Sequence, residues 1–275
     1  MNEVTIVIIT YKSEKIIYDF LNKIPSTIRT IIIENSSSHE LKKDIEEKYK
    51  NVSLFLKKND GVSSALNYAV DKIKTKYFLQ ISPDIVFDFK DLEIYVNFAK
   101  EKNDKFAAIG PRFLNVKERS HRQIDERLES GKIDSIHGSC MFINKKSYID
   151  IGKFDESFFL YFEETDYCFR AKKKGYFSYQ INKSKVMSKG RSVNIDNENF
   201  SNVLIWHFIW SKYYFNKKKF GNVLSIIVFL PILIRILFKI KLYKIMGNIH
   251  LLKKYKARLD GLLSSIKGAK SSLRP

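Results

Sequence analysis

A cluster of acidic residues in the second half of the chain has the residue types and spacing that acid–base or metal chemistry requires. Glu163, Glu164 and Asp166 follow a run of aromatic residues, and Arg170 comes one helical turn after Asp166. Clustered carboxylates are costly unless a cation, a hydrogen bond or a shifted pKa compensates for their charges. The cluster is therefore a candidate for general-base or metal chemistry. Taken alone, the same acids also fit the first turn of a helix, where the dipole favours negative charge.

Polar residues also follow three apolar runs in the first half of the chain. These residues are Thr10-Tyr11, Glu34-Asn35 and Ser82-Pro83-Asp84. An acid such as Glu34 at a strand end can hydrogen-bond a ribose or a base edge. Asp84 can hold a divalent cation against a diphosphate, because Mg²⁺ takes oxygen ligands and usually keeps substrate phosphates among them. Each residue by itself fits a helix cap or a turn equally well.

The elements around these residues are predicted to alternate between strand and helix. We expect strands over residues 4–10, 29–34, 52–57 and 76–82, and helices up to about residue 22 and over residues 39–50 and 62–73. This alternation indicates an α/β fold with a mostly parallel central sheet flanked by helices. In such a sheet, ligands bind outside the carboxyl ends of the strands, where the polar residues stand.

Asn59, Gly61 and Asn67 lie where a turn leads into the third helix. A helix amino terminus favours anionic groups, so this loop is a weak candidate for phosphate binding. The chain has no glycine pattern of the Walker or Rossmann type and no histidine pair with metal spacing. In the less regular second half we expect a helix over 91–103, strands near 106–110, 135–145 and 174–181, and an irregular polar segment over 115–134.

The composition limits the class of protein and its partners. With 275 residues, of which 44% are hydrophobic, the chain suits one large domain or a domain with an appendage. Cys140 and Cys168 are predicted to be buried thiols in a reducing compartment. The amino terminus lacks the features of a signal peptide, so we expect a cytoplasmic protein. The net charge of +19 calls for an anionic partner: a nucleic acid, a membrane surface or an anionic substrate.

The distribution of charge favours the membrane surface. Residues 212–274 carry many lysines and arginines but a single acid, Asp260, and they contain the longest apolar run, 220–240. Pro231, Arg235 and Lys239 interrupt that run, so it is borderline for a spanning helix. An interfacial helix with snorkelling basic side chains fits better, while a spanning or re-entrant helix and a helix that docks a partner remain alternatives.

Taken in order, the motifs resemble the family 2 glycosyltransferases. The matching segments are VTIVIITYKSE, IIIENSSS, NDGVSSALNYA, FLQISPDI, IGPRF and HGSCMFINKKSYIDIGKFDESFFLYFEETDYCFRAKKKGY. They cover about residues 4–192 and are most similar to the rhamnosyltransferase-type branch that builds bacterial surface polysaccharides. The resemblance implies a GT-A fold over residues 1–215, with a nucleotide-binding half (1–90) and an acceptor and catalytic half (91–215). The charge and apolar pattern predict that a basic amphipathic helical tail (216–275) follows.

The resemblance also implies roles for individual residues. Glu164 corresponds to the catalytic base, with Glu163 and Asp166 beside it, and Gly138 and Arg170 lie on the acceptor side. Asp84 corresponds to the acid that binds a Mg²⁺ or Mn²⁺ ion. The residues expected to bind the nucleotide-sugar are Thr10, Tyr11, Glu34, Asn35, Asn59, Gly61, Asn67, Ser82, Asp84, Lys189 and Arg191.

The chain departs from the family pattern at three positions. The base is Glu164 rather than aspartate, the acid after the second strand is Glu34 rather than aspartate, and Met187 stands where the family often has histidine. The implied reaction is an inverting transfer from a nucleotide-diphosphate sugar to a lipid-linked or polysaccharide acceptor at the inner face of the cell membrane. A nucleotidyltransferase, a catalytically degenerate relative, and a basic module that binds membrane or nucleic acid are the alternatives. Acids at strand ends argue against nucleic acid, because they repel phosphate unless a cation is present.

Overall fold

The structure is a computed structural model that describes residues 3–115, 123–190 and 198–274. The chain divides into two compact units. The first contains Met1–Asp155 and Glu163–Asn194, and the second contains Glu156–Phe162 and Ile195–Pro275. The change of unit near residue 195 differs from the boundary expected at residue 216. The assignment of a nucleotide half and an acceptor half stays a prediction.

The first half of the α/β unit has the expected alternation of strands and helices. Its elements are β1 (Val4–Thr10), α1 (Glu14–Leu21), β2 (Thr30–Glu34), α2 (His39–Lys48), β3 (Val52–Leu56), α3 (Val62–Lys72) and β4 (Tyr77–Ile81). The four strands pair in parallel in the order β3-β2-β1-β4, and Thr10, Glu34 and Leu56 stand side by side at the carboxyl ends. The strand-end residues singled out in the sequence therefore share one edge of the sheet.

The second half of the unit extends the same sheet with mixed pairing. Its elements are β5 (Ile85–Val86), a 3₁₀ turn (Phe89–Asp91), α4 (Leu92–Glu101), β6 (Ile109–Phe113), β7 (Ser130–Ile133), β8 (Cys140–Asn144), α5 (Lys145–Ile151), α6 (Glu163–Lys173) and β9 (Ser178–Ser188). The order continues β4-β8-β6-β9-β5, with β7 also on β9. Among the described strands of this half, only β6 and β9 pair in parallel. The α/β class and the flanking helices are confirmed, whereas the expected parallel arrangement holds chiefly for the first half.

Several expected boundaries in this half were wrong. The strand expected over 135–145 is limited to β8, because Asn144 accepts a hydrogen bond from the Ser147 amide (3.2 Å) and thereby begins α5. The strand expected over 174–181 continues to Ser188, where β9 pairs with β5. The polar segment expected to be irregular contains β7, which pairs with β9.

The core lies on both faces of the sheet. Side chains alternate along each strand, so Ile6, Ile8 and Ile32 pack on the side of α1, α2 and α4. Val7 and Ile31 pack on the opposite side against α3, α5 and α6. Cys140 and Cys168 are buried free thiols, as the sequence predicted. Helices on both faces fix the sheet and thereby hold its carboxyl edge in place.

The second unit consists of helices that pack on one another. These are α7 (Glu198–Phe220), α8 (Asn222–Ile245) and α9 (Ile249–Ile266). Their shared core contains Tyr213, Phe229, Ile236 and Leu262. Gly261 allows a close approach of α9 to α7, because a Cβ atom at that position would lie 2.6 Å from the Trp206 carbonyl oxygen. The expected boundary between residues 215 and 216 falls inside α7.

Candidate functional site

Glu34 and Asn35 present unpartnered oxygens at the carboxyl edge of the sheet. The Asn35 amide donates to the Thr10 carbonyl (2.9 Å), which fixes the turn after β2 beside β1. Glu34 Oε1 accepts hydrogen bonds from the amide (2.6 Å) and the hydroxyl (2.5 Å) of Ser36. Glu34 Oε2 and Asn35 Oδ1 are buried and have no hydrogen-bond partner among the described residues. Buried acceptors of this kind indicate a position for a ligand donor.

The loop after β3 leads from Glu34 to the amino terminus of α3. The Lys57 amide donates to the Glu34 carbonyl (2.9 Å), so this loop starts at the same edge. Gly61 precedes α3 with φ of 97°, a left-handed conformation that favours glycine. Asn59 accepts from the Gly61 amide at 3.4 Å. Tyr11, at the end of β1, has the Lys12 ammonium 5.4 Å from its ring centroid.

Asp84 is held by residues from the far end of the chain. The Ser188 hydroxyl donates to Asp84 Oδ2 (2.6 Å), and the Lys189 amide donates to the Asp84 carbonyl (2.8 Å). Burial raises the pKa of Asp84, and the hydrogen bond from Ser188 opposes that rise. The structure thus places the backbone of Lys189 beside Asp84, while Arg191 lies outside the described residues.

The residues around Asp84 fit a divalent cation bound through one carboxylate. No group of three or more His, Cys, Asp or Glu side chains that could hold a metal occurs within residues 3–115, 123–190 and 198–274. A Mg²⁺-type site needs only one or two carboxylates when substrate phosphates and water complete the coordination. A buried carboxylate with a raised pKa also gains from a nearby positive charge. Asp84 therefore suits a cation that arrives with a diphosphate.

Glu163 and Glu164 open helix α6 and are adjacent carboxyl groups whose charges repel. Burial, followed by the negative charge of Glu164, raises the pKa of Glu163 well above its ordinary value. Burial also raises the pKa of Glu164, whose Oε1 accepts a hydrogen bond from the Thr165 hydroxyl (3.0 Å). Glu163 is almost fully buried, whereas Glu164 is partly exposed. Glu164 is therefore the member of the pair that a substrate can reach, and its raised pKa suits a general base.

Gly138 connects this pair to the sheet edge. A Cβ atom at Gly138 would lie 3.6 Å from Glu164 Oε2, an ordinary van der Waals distance, so Gly138 and the carboxylate are neighbours. The next residue, Ser139, accepts a hydrogen bond from the Ser82 amide (2.9 Å) through its carbonyl. A chain of contacts thus runs from Glu164 through Gly138 and Ser139 to Ser82, two residues before Asp84.

Asp166 and Arg170 are directed into the protein rather than to this chain of contacts. Arg170 Nε donates to Asp166 Oδ2 at 2.7 Å, and Asp166 is fully buried. The remaining guanidinium nitrogens donate to the carbonyls of Ile151 (3.1 Å) and Lys153 (2.6 Å). This network ties α6 to the end of α5. It favours a structural role over the catalytic and acceptor roles expected for the two residues.

Asn67 also has a structural environment. Its Oδ1 accepts from the Tyr148 hydroxyl (2.7 Å) and the Phe154 amide (3.2 Å), and its Nδ2 donates to the Phe154 carbonyl (3.0 Å). These bonds join α3 to the segment after α5. The structure does not bring Asn67 to the group around Asp84 and Glu164.

Four residues of the site were missed by the sequence reasoning. They are Ser36, Ser139, Thr165 and Ser188, each of which bonds a predicted residue or its neighbour. Ser36 and Thr165 were detectable as hydroxyl neighbours of an acid. Ser188 gave no local signal, because its position depends on the pairing of β9 with β5.

A cavity of the α/β unit, with a volume of about 840 Å³, is lined by residues 74–76, 103–105, 144–147 and others. It lies at the amino end of β4, opposite the edge that carries Ser82 and Asp84. None of the predicted site residues lines it. The chemistry expected from the sequence is therefore located away from this cavity.

Comparisons with known proteins identify relatives of the α/β unit. The profile described as Glycosyl transferase family 2 matches residues 5–161, more than half of the chain. The low-salt glycan biosynthesis hexosyltransferase Agl10 of Haloferax volcanii is 26% identical over an alignment of 200 residues, and the match covers 63% of this chain and 63% of that protein. An uncharacterized glycosyltransferase of Rickettsia typhi is 28% identical over 141 residues, 46% of this chain and 44% of that protein. The chain thus spans less than two thirds of the length of these relatives.

Solved structures with low sequence identity share the fold. The mannosyltransferase PcManGT of Pyrobaculum calidifontis, solved with GDP-Man and Mn²⁺, has a TM-score of 0.61 at 12% identity, covering 96% of this chain and 87% of that one. GalNAc-T7, solved with UDP, GalNAc and Mn²⁺, has a TM-score of 0.57 at 14% identity, covering 80% and 50%. TarS of S. aureus with UDP-GlcNAc has a TM-score of 0.55 at 13% identity, covering 97% and 92%.

Proposed function

The chain belongs to glycosyl transferase family 2, and from this premise we propose that it moves one sugar from a nucleotide-diphosphate sugar to an acceptor hydroxyl with inversion at the anomeric carbon. Its α/β unit has the GT-A fold. The observation that carries the proposal is the placement of Glu164. Its carboxylate has a raised pKa and packs on Gly138, from which contacts run through Ser139 to Ser82, two residues before Asp84.

In this proposal the nucleotide binds along the carboxyl edge of β1, β2 and β3. Glu34 Oε2 and Asn35 Oδ1 accept hydrogen bonds from the nucleoside, since both oxygens are buried without a partner in the described part of the chain. Tyr11 and the loop of Asn59 and Gly61 border the same edge. Lys189 pairs with the diphosphate electrostatically, because its backbone is fixed beside Asp84.

Asp84 would hold the divalent cation, with Ser188 orienting its carboxylate. When bound, a Mg²⁺ or Mn²⁺ ion supplies positive charge that stabilises the leaving diphosphate. The Mn²⁺ found in PcManGT and GalNAc-T7 supports the choice of cation class. The identity of the metal is part of the proposal.

Glu164 acts as the general base of the transfer. It removes the proton from the acceptor hydroxyl, whose oxygen forms a bond to the anomeric carbon while the bond from that carbon to the diphosphate oxygen breaks. The nucleoside diphosphate leaves with the electron pair. Burial and the charge of Glu164 raise the pKa of Glu163, which disfavours a second negative charge beside Glu164.

We propose a lipid-linked or polysaccharide acceptor on the inner face of the cell membrane, in surface-glycan synthesis and with rhamnose as one candidate sugar. Helix α8 supports this choice: it is long and apolar enough to cross a membrane by length and composition, with a mean hydropathy of 2.5. Basic residues within it, such as Arg235 and Lys239, suit an anionic interface. The glycan-biosynthesis role in the name of the Haloferax relative agrees with this acceptor class.

A thermal-shift screen of UDP-, dTDP- and GDP-sugars with and without Mn²⁺ tests the proposal. A ligand that binds only the folded protein raises the melting temperature, so we expect at least one donor to raise it, and more so with Mn²⁺. Release of the nucleoside diphosphate from that donor should then be measurable. A chain that none of the donors stabilises, with or without Mn²⁺, would contradict the proposal.

A further inference from the structure

A small cavity in the helical unit combines apolar walls with one positive charge. It has a volume of about 210 Å³ and is lined by Tyr161, Leu204, Ile205, Phe208 and Arg258. Pockets that enclose a whole drug-sized ligand have volumes of about 300–1,000 Å³. This cavity therefore suits only a part of a larger ligand. That part must have an apolar portion and an anionic group.

Arg258 supplies the positive charge of the cavity. Its guanidinium lies 5.3 Å from the ring centroid of Tyr255 and makes no ion pair within residues 3–115, 123–190 and 198–274. Asp260, the acid on the same helix, accepts instead from the Trp206 indole (2.6 Å). A guanidinium carries five N–H donors in a planar fork that matches phosphate or carboxylate oxygens. An anionic ligand group would satisfy them.

The apolar walls are held in a fixed arrangement. Tyr161 contacts Phe208 edge-to-face with 5.6 Å between the ring centroids, and Phe162 contacts the same ring at 5.6 Å. Tyr161 and Phe162 have φ of 69° and 68°, a conformation uncommon for bulky residues. Backbone strain of this kind persists where the surroundings impose it and is concentrated at ligand sites.

The chain itself connects this cavity to the catalytic carboxylate. Tyr161 precedes Glu164 by three residues. The Cα atoms of two such residues are at most about 11 Å apart in any conformation. Tyr161, which forms one wall of the cavity, is therefore separated from the proposed base Glu164 by only a short length of chain.

We propose that this cavity binds the phosphate group and the first apolar units of a lipid-linked acceptor. Arg258 pairs with the phosphate oxygens, while Leu204, Ile205 and Phe208 contact the hydrocarbon chain. The inference rests on the proposed function and specifies its acceptor as a phosphorylated lipid. An apolar ligand without charge would leave the guanidinium unpaired, and free phosphate would leave the apolar walls uncovered.

Isothermal titration calorimetry of the full chain with farnesyl phosphate tests the inference, with farnesol and inorganic phosphate as reference ligands. We expect farnesyl phosphate to bind at least about tenfold more tightly than either reference. It alone has both a hydrocarbon chain for the apolar walls and a phosphate group for Arg258. Arg258→Gln should weaken its binding at least about tenfold. Arg29→Gln, at an exposed arginine of the α/β unit, is the matched control and should leave the affinity unchanged.

A second pair of variants tests the apolar wall. Phe208 and Phe220 lie on α7 and have the same exposed fraction, 45%. Phe208→Ala should weaken farnesyl phosphate binding, whereas Phe220→Ala should not. Equal affinities in the two members of either pair would overturn the inference.

A further arm separates the acceptor from bulk lipid. Vesicles of phosphatidylglycerol should bind the wild type and Arg258→Gln equally. If Arg258→Gln loses vesicle binding as much as farnesyl phosphate binding, the cavity takes bulk lipid and the inference is wrong. Stabilisation by a sugar donor should persist in all four variants. A wild type that binds donor but not farnesyl phosphate contradicts only this inference, whereas a wild type stabilised by no donor contradicts the proposed function.

Discussion

At the scale of single residues, the site depends on carboxylates whose surroundings disfavour charge. Asp84, Glu163 and Glu164 all have pKa values raised by burial. Their surroundings differ, because Ser188 donates to Asp84, Glu163 is almost fully enclosed and Glu164 is partly exposed. The same chemical group, a carboxylate, thus has a different environment at each of the three positions, and the roles that we propose for them follow from those differences.

Glu163→Gln should stabilise the protein in a pH-dependent manner. The folded-state pKa of Glu163 lies above its unfolded value, so its stability contribution is complete below the unfolded pKa and is lost as pH rises through the folded pKa. The neutral amide avoids this loss. We expect Glu163→Gln to melt at a higher temperature than wild type at pH 8 and the difference to shrink as the pH falls toward 4, because protonation of the carboxylate removes the cost of its buried charge.

Melting temperatures of both proteins measured between pH 4 and 8 check this expectation. Glu47→Gln, at an exposed position of helix α2, is the control. Its difference in melting temperature from wild type should not change with pH. A rise in melting temperature from Glu163→Gln that is constant across the pH range would show that the fold does not disfavour the charged form of Glu163.

Glu34 should favour bases with a single imino donor. Ser36 occupies Oε1 with two hydrogen bonds, so only Oε2 is unpartnered in the described part of the chain. The N3–H of uracil or thymine needs one acceptor, whereas the neighbouring N1–H and N2–H of guanine need both carboxylate oxygens. We expect UDP to bind more tightly than GDP, by calorimetry with Mn²⁺, and Ser36→Ala to reduce that preference. A preference for GDP would contradict this assignment.

At the scale of elements, helix α6 is positioned by the pair of Asp166 and Arg170. Arg170→Gln should destabilise the fold by about 3 kcal/mol, because it leaves the buried Asp166 without its cation. Lys172→Gln on the same helix breaks an exposed pair with Asp134 (3.1 Å) and should cost at most about 1 kcal/mol. Urea unfolding measures both changes. Equal losses would show that the buried pair has no special structural role.

Strands that are marked by a local pattern of residues could be predicted from the sequence. Strands β1 to β4 are runs of β-branched and aromatic residues, so their positions and the shared edge of Thr10 and Glu34 could be predicted. The two-residue strand β5 and the polar strand β7 depend on pairing with β9, a tertiary property that no local pattern records.

The same distinction applies to the site. Glu164 and Asp84 stood out by type and by position after apolar runs. Their actual partners, Gly138 and Ser188, come from sequence-distant elements, and of these only Gly138 was singled out. The structural hydrogen bonds of Asp166 and Asn67 could not be predicted from the sequence, because buried structural residues and ligand-binding residues are of the same polar types.

At the scale of the whole molecule, the proposed membrane location explains why helix α8 has an exposed apolar face. Ile227 and Ile234 have exposed fractions of 60% and 59%, while Phe229 and Ile236 on the opposite face are buried in the helical core. An apolar face flanked by basic residues is typical of helices that lie at an anionic lipid surface.

Replacing that face with acids should release the protein from lipid. We expect Ile227→Glu with Ile234→Glu to abolish flotation with phosphatidylglycerol vesicles, and Leu128→Glu, whose side chain is 52% exposed in the α/β unit, to leave it intact. These substitutions are better tests than deletion of 221–275, which would uncover the face of α7 that packs on α9. Unchanged flotation of the double variant would contradict the membrane role of α8.

The central claim is that Glu164 removes the acceptor proton in a sugar transfer. Glu164→Gln keeps the shape of the side chain but cannot accept the proton, so turnover should fall at least about 100-fold, within the range for loss of a general base. Donor binding should remain within about threefold of wild type, since Asp84, Glu34 and Asn35 are unchanged. Turnover and calorimetric donor affinity should be measured on the same preparations, with Asp166→Asn alongside. Near-normal turnover of Glu164→Gln, together with loss of turnover in a folded Asp166→Asn, would contradict the account.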